Sequence, residues 1–251
     1  MALNDMYDAS PVRREIAAGA AAQVVLLGSL SAAVGMGPVG WLTGLGFALA
    51  VWATLSRALR RARPLAFGAA NRVTLGRAAL VGAVTAMVAD SFWHAPSAAL
   101  LVGLTAPALF LDCVDGRVAR RTGTCTPLGA RFDMEVDAFL ILVLSVHVAT
   151  RLGPWVLLIG AMRYVFVASA RFLPWLNAPL PPSTARKTVA ALQGVLLLVA
   201  GARVLPPPVE TGVVLAALAS LLWSFGRDVR WLWRTSRTAV PSLDTRELVA
   251  H

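Results

Sequence analysis

Cysteine is almost absent from this chain: Cys113 and Cys125 are the only two among 251 residues. There is no CxxC pair, no Cys/His cluster and no disulfide framework, which excludes a thiolate metal centre and a disulfide-built fold. Both thiols read as small filler residues, since a single thiolate beside carboxylates suits hard cations poorly. Charge is scarce as well, at 14% of residues, where soluble domains carry about 25%. In its place stand apolar residues, 57% of the chain, with a mean hydropathy of +0.69. A large soluble core is thereby excluded, and an integral membrane protein is expected.

Acidic residues are the scarcer charge, 13 against 23 Lys and Arg, which leaves a formal net charge of +10. Such an excess suits either nucleic-acid binding or the cytoplasmic loops of a membrane protein, and its distribution decides. Apolar stretches at 17–36, 39–58, 73–89, 97–111, 137–150, 154–173, 187–204 and 210–225 predict eight spans. A span needs about 20 residues, and four of these are short; those at 97–111 and 137–150 gain length from the charged segment between them. Arg13 and Arg14 precede the first stretch as they would in a signal peptide. That stretch, however, exceeds a usual h-region and runs into the next through Met36-Gly37-Pro38, so a retained helix is expected.

Eight spans put both termini on one side, and of the 23 Lys and Arg only Arg151 and Arg203 fall opposite. The positive-inside rule assigns the rich side to the cytoplasm of a plasma-membrane protein. The positive charge is spread over segments next to membrane helices, where it meets anionic headgroups of the lipid bilayer rather than nucleic acid. Trp223, Trp231 and Trp233 fit an interfacial belt. Gly40-x-x-x-Gly44 has the spacing of a helix-packing motif.

The segment DCVDGRVARRTGTCTPLGARFDMEVD, residues 112–137, breaks the apolar pattern. Asp112 and Asp115 are spaced i, i+3 at the end of one span, and Asp133 and Asp137 i, i+4 at the start of the next, so each pair shares a helix face. Residues 122–127 read as the turn between them. Two antiparallel helices then aim four carboxylates at one place, where bare anions would repel and could not all stay ionised. Something positive must sit among them: arginine serves, and so does Mg²⁺ or a metal pair. Gly116 and Ala119 leave room for a ligand beside the first helix, Gly129 does so beside the second, and Arg120 is placed to meet a phosphate. Glu135, two residues from both Asp133 and Asp137, is expected to turn away.

The pattern Asp112-x-x-Asp115-Gly116-x-x-Ala119-Arg120, eight residues, Gly129-x-x-x-Asp133-x-x-x-Asp137 resembles the full signature of the CDP-alcohol phosphatidyltransferases. Eight fixed residues in 26 positions make the match specific. Asn71-Arg72-Val73-Thr74-Leu75-Gly76-Arg77 is similar to the segment leading into that family's first helix, where an Asn, a Thr and an Arg recur. Ser183-Thr184-Ala185-Arg186-Lys187-Thr188 is similar to the basic turn before its fifth. The resemblance implies an all-α transmembrane bundle with a six-helix core at 71–226, usually homodimeric. It leaves a cytoplasmic tail at 1–16, two additional helices at 17–58 and a cytoplasmic tail at 227–251.

It also implies two divalent cations, Mg²⁺ or Mn²⁺, held by Asp112, Asp115 and Asp133. Asp137 lies in the same shell and acts as the base that deprotonates an acceptor alcohol. Gly116, Ala119, Arg120 and Gly129, with Asn71 and Thr74, would shape the pocket for a donor such as CDP-diacylglycerol. Arg163, Arg171, Arg186 and Lys187 are the candidates for an anionic acceptor, with interfacial snorkelling as the plainer reading of each. A prenyltransferase would need a second Asp-rich motif, and only Asp228 and Asp244 lie beyond residue 137. A transporter would need charges in mid-membrane on several helices, and a scaffold leaves the spacings unexplained.

Overall fold

A computed structural model describes residues 10–62, 69–94, 97–122, 127–181 and 183–238. Side chains at 10–13, 16, 58–62, 69–72, 113, 115–122, 127–128 and 238 lie outside that description, as do Cys125 and residues 123–126 of the turn expected at 122–127. The described residues form eight α-helices and no strand: α1 (Ser10–Val34), α2 (Pro38–Ala62), α3 (Ala69–Asp90), α4 (Ala98–Thr122), α5 (Pro127–Leu152), α6 (Leu157–Phe172), α7 (Thr184–Gly201) and α8 (Pro207–Thr238). Single 3₁₀ turns, Pro154–Val156 and Pro174–Asn177, flank α6.

Local chemistry sets the boundaries. Gly35 ends α1 at φ +68, and its amide donates to the Ser31 carbonyl at 2.9 Å, a helix stop that glycine adopts without strain. Proline opens α2, α5 and α8, where its missing N–H is no loss. Ser183 caps α7, its hydroxyl accepting from the Arg186 amide at 3.4 Å, so the helix begins three residues before the expected 187.

Five described helices are long and apolar enough to cross a membrane, namely α1, α2, α3, α6 and α8, and α4 contributes a shorter apolar stretch, Ala98–Asp112. The bundle is polytopic and all-helical. The remaining helices fall short because charge occupies one end of each: Arg131, Asp133, Glu135 and Asp137 on α5, Arg186 and Lys187 on α7.

At the centre lies α3, 72% of whose apolar window is buried against 17% for α1 and 22% for α2. Its Ala78, Val81 and Val84 belong to one core with Leu101 and Leu104 of α4, Leu140 and Leu144 of α5, Leu197 of α7 and Val214 of α8. On its other side the α1–α2 hairpin packs closely. A Cβ on Gly40 would stand 3.2 Å from the Ala86 carbonyl oxygen, and one on Gly44 3.2 Å from the Ala86 Cβ, so the spacing seen in the sequence is a contact surface for α3. Gln23 of α1, 3% exposed, donates from Nε2 to the Gly44 carbonyl at 2.9 Å in the space left by Gly82. Asp90, at the end of α3, accepts from the Gly37 amide at 3.0 Å and fixes the hairpin turn.

Between α5 and α6 the close approach is at Gly160, where a Cβ would lie 2.5 Å from the Leu142 Cα. Backbone cannot yield as a side-chain tip can. We expect Gly160→Val to lower stability by about 1–3 kcal/mol, read as a lower thermal midpoint of the detergent-solubilised protein; an unchanged midpoint would show that α6 is not seated on α5 as described.

The sequence places the end of the last helix at 225–226, yet α8 runs on to Thr238. Val229 and the fully buried Leu232 keep the apolar period and pack against Ala170, Leu176 and Trp175, which extends the helix through a segment rich in Arg and Trp. Trp223, Trp231 and Trp233 are exposed on it, and Arg237 stacks on Trp233 at 3.9 Å.

Candidate active site at the ends of α3, α4 and α5

The polar end of the bundle is built where three helices leave their apolar stretches. On α4 the run ends at Leu111 and Asp112 follows; on α5 Asp133 and Asp137 precede the run that starts at Ala138. One helical turn separates Asp133 from Asp137, so both carboxylates face α4 and α3. Carboxylate oxygens of Asp112, Asp133 and Asp137 all lie within 4.8 Å of one another. Each of these side chains is about a third exposed, at 32%, 34% and 39%. The cluster is therefore open to a ligand on one side.

The positive partner is Arg77 of α3. Its side chain is 1% exposed, and its guanidinium forms ion pairs with Asp112, Asp133 and Asp137, the last at 3.1 Å. Nη2 also donates to the Asp133 backbone carbonyl at 3.2 Å. Its planar fork reaches several acceptors at once, which an ammonium does not. Charge counting alone put Arg77 among the residues that mark the cytoplasmic side; in the structure its side chain is buried in the interior of the bundle. A signal for it was present, because Asn71, Thr74 and Arg77 recur at i, i+3 on one face and Arg77 already lies within the stretch 73–89.

The other expected site residues are distributed around this cluster. Asp115, Gly116, Ala119 and Arg120 belong to the last turns of α4, which stays helical to Thr122; their side chains, like that of Asn71, are outside the described set. Thr74 is buried on α3 one turn before Arg77, and Gly129 is half-buried in the first turn of α5. Glu135 does turn away, to an ion pair with Arg163 of α6.

Arg163 is therefore matched by a carboxylate outside the aspartate cluster. Arg186 of α7 pairs with Asp228 of α8 at 3.4 Å and donates to the Pro181 carbonyl at 3.2 Å. Arg227, 3.3 Å from the same Asp228, donates to the Ser183 hydroxyl at 3.1 Å. Arg171 and Lys187 are exposed. Leu109 of α4 packs on Gly194 of α7, and the two helices run antiparallel. Asp112 is thus level with about residue 191, and Arg186 stands about 7.5 Å further toward the polar end.

A divalent cation fits this donor set. Three hard oxygen ligands converge from two helices, partly open to solvent, with no soft ligand among them, as Mg²⁺ or Mn²⁺ requires. Arg77 offsets one of the negative charges, so the cluster retains the net negative charge that a cation would neutralise.

Residues 67–226 match the family model for CDP-alcohol phosphatidyltransferase. The match covers well over half of the 251 residues, from just before α3 into α8, and leaves the α1–α2 hairpin outside. Neither the curated proteins nor the solved structures contain a match.

Proposed function

The chain belongs to the CDP-alcohol phosphatidyltransferase family, and on that premise we propose that it moves a substituted phosphate from CDP-diacylglycerol to a second alcohol, releasing CMP, in phospholipid synthesis. The observation that carries this reading is the convergence of Asp112, Asp133 and Asp137 on one buried arginine at the open end of the family-matched helices. Among the described residues this is the one group of three or more potential metal ligands.

Asp112, Asp115 and Asp133 would hold two divalent cations, with Asp137 at the edge of the same shell. When bound, the cations supply charge neutralisation on the donor's pyrophosphate and so make CMP a better leaving group. Asp137 takes the proton of the acceptor hydroxyl, which is too weak an acid to attack unaided. Thr74, Asn71, Gly116, Ala119, Arg120 and Gly129 line the nucleotide side, where small residues admit the donor and Arg120 meets a phosphate. The aspartates act at the cytoplasmic face of the plasma membrane, in a homodimer whose protomers each carry a core at 71–226.

The acceptor side draws on Arg171 and Lys187 before Arg163 and Arg186, since the last two already have carboxylate partners. Purified protein incubated with CDP-diacylglycerol, Mg²⁺ or Mn²⁺ and a panel of alcohols (inositol phosphate, glycerol phosphate, serine, a diradylglycerol) should release CMP with at least one of them. Silence across the panel, in conditions where another member of the family turns over, would sink the proposal.

A further inference from the structure

Arg77 is a fully buried charged side chain, and it touches the same three carboxylates that would hold a cation and accept a proton. We infer that Arg77 is a positioning residue for this reaction: it gathers Asp112 of α4 with Asp133 and Asp137 of α5 against α3, so that a cation meets ligands already in place. The inference rests on the cation reading given above.

The chemistry follows from what each carboxylate would do without it. Asp112 and Asp133 stand on different helices, and like charges within 4.8 Å repel. With no positive partner the two helix ends would spread, and each cation would have to bring them back at a cost in affinity. A guanidinium offsets that repulsion through several N–H groups in one plane, and its bond to the Asp133 carbonyl at 3.2 Å fixes the helix as well as the side chain. The arginine is fixed in turn. Leu75, beside it on α3, packs onto Gly19 of α1, and Gln23 fills the gap at Gly82. The α1–α2 hairpin, which the family match leaves out, therefore acts on the site by holding α3.

Arg77→Lys separates position from charge. It keeps the positive charge, and with it the repulsion toward an incoming cation, but a single ammonium cannot bridge three carboxylates from two helices. Mn²⁺ affinity of the purified, substrate-free protein, measured by electron paramagnetic resonance or calorimetry, should fall about 10- to 100-fold, as when a group that orients metal ligands is lost. At saturating Mn²⁺ the kcat for CMP release should recover to within a few-fold of the parent, because the cation then gathers the ligands itself. Arg77→Gln, neutral and still a donor, should bind Mn²⁺ no more tightly than Arg77→Lys. Undiminished Mn²⁺ affinity in a folded, monodisperse Arg77→Lys protein would overturn the inference and leave the function standing. A parent that binds no Mn²⁺ would overturn both.

Discussion

Asp137→Asn is expected to abolish transfer while leaving donor binding largely intact. The amide keeps the shape of the carboxyl and can still accept from Arg77, so the cluster holds together. What it loses is the ability to take a proton. Removal of a general base costs about 10²- to 10⁴-fold in rate, and the acceptor hydroxyl has no second carboxylate one turn further on α5, where Ile141 follows. The measurement is CMP release beside metal-dependent binding of the CDP donor to the same preparation. If donor binding disappears together with turnover, Asp137 belongs to the metal shell and the base must be sought elsewhere.

Asp133→Ala should do more damage, and of a different kind. Arg77 makes two contacts with this residue, one to the carboxylate and one to the backbone carbonyl. Deleting the carboxylate leaves a guanidinium with a 1% exposed side chain short of a partner. Breaking a buried ion pair costs about 3–5 kcal/mol; the 34% exposure of Asp133 places the expected loss toward the lower end. Turnover, the thermal shift produced by Mn²⁺ and the metal-free thermal midpoint should all fall together. A protein that loses turnover but keeps its metal-free midpoint would show that Arg77 does not depend on Asp133. Comparison of the two variants separates a residue that reacts from one that holds the site.

Much of this site was legible because its information is local. One-turn spacing on α5 put Asp133 beside Asp137 on a face that meets Asp112 of α4, and the same arithmetic turned Glu135 outward, where it meets Arg163. Helix existence followed from apolar runs. Less legible was anything that depends on which helix packs against which. Arg77 looks like any other arginine beside a membrane span, and only the packing of α3 between the hairpin and α4–α5 makes it interior. The extension of α8 was missed for the same reason: Leu232 is one leucine among arginines and tryptophans until the 3₁₀ turn at Pro174–Asn177 is seen to cover it. Arg163 and Arg186 appeared available in sequence, and only tertiary contacts supply Glu135 and Asp228.

The position of Arg77 also bears on how the protein is made. During synthesis α3 emerges well before α4 and α5, so the arginine enters the membrane before Asp112, Asp133 and Asp137 exist. An arginine at the centre of an inserting helix costs about 2.5–3.5 kcal/mol, and less near the end of the span, where Arg77 sits and can reach for the interface. The hairpin and α3 can pack on one another as a unit before those aspartates are made. Asp112 is the first of the three partners to be translated and Asp137 the last. The three ion pairs of Arg77 with these aspartates are complete only once α5 has followed, so the residues that assemble the site also bear on when the nascent chain can settle into the bilayer.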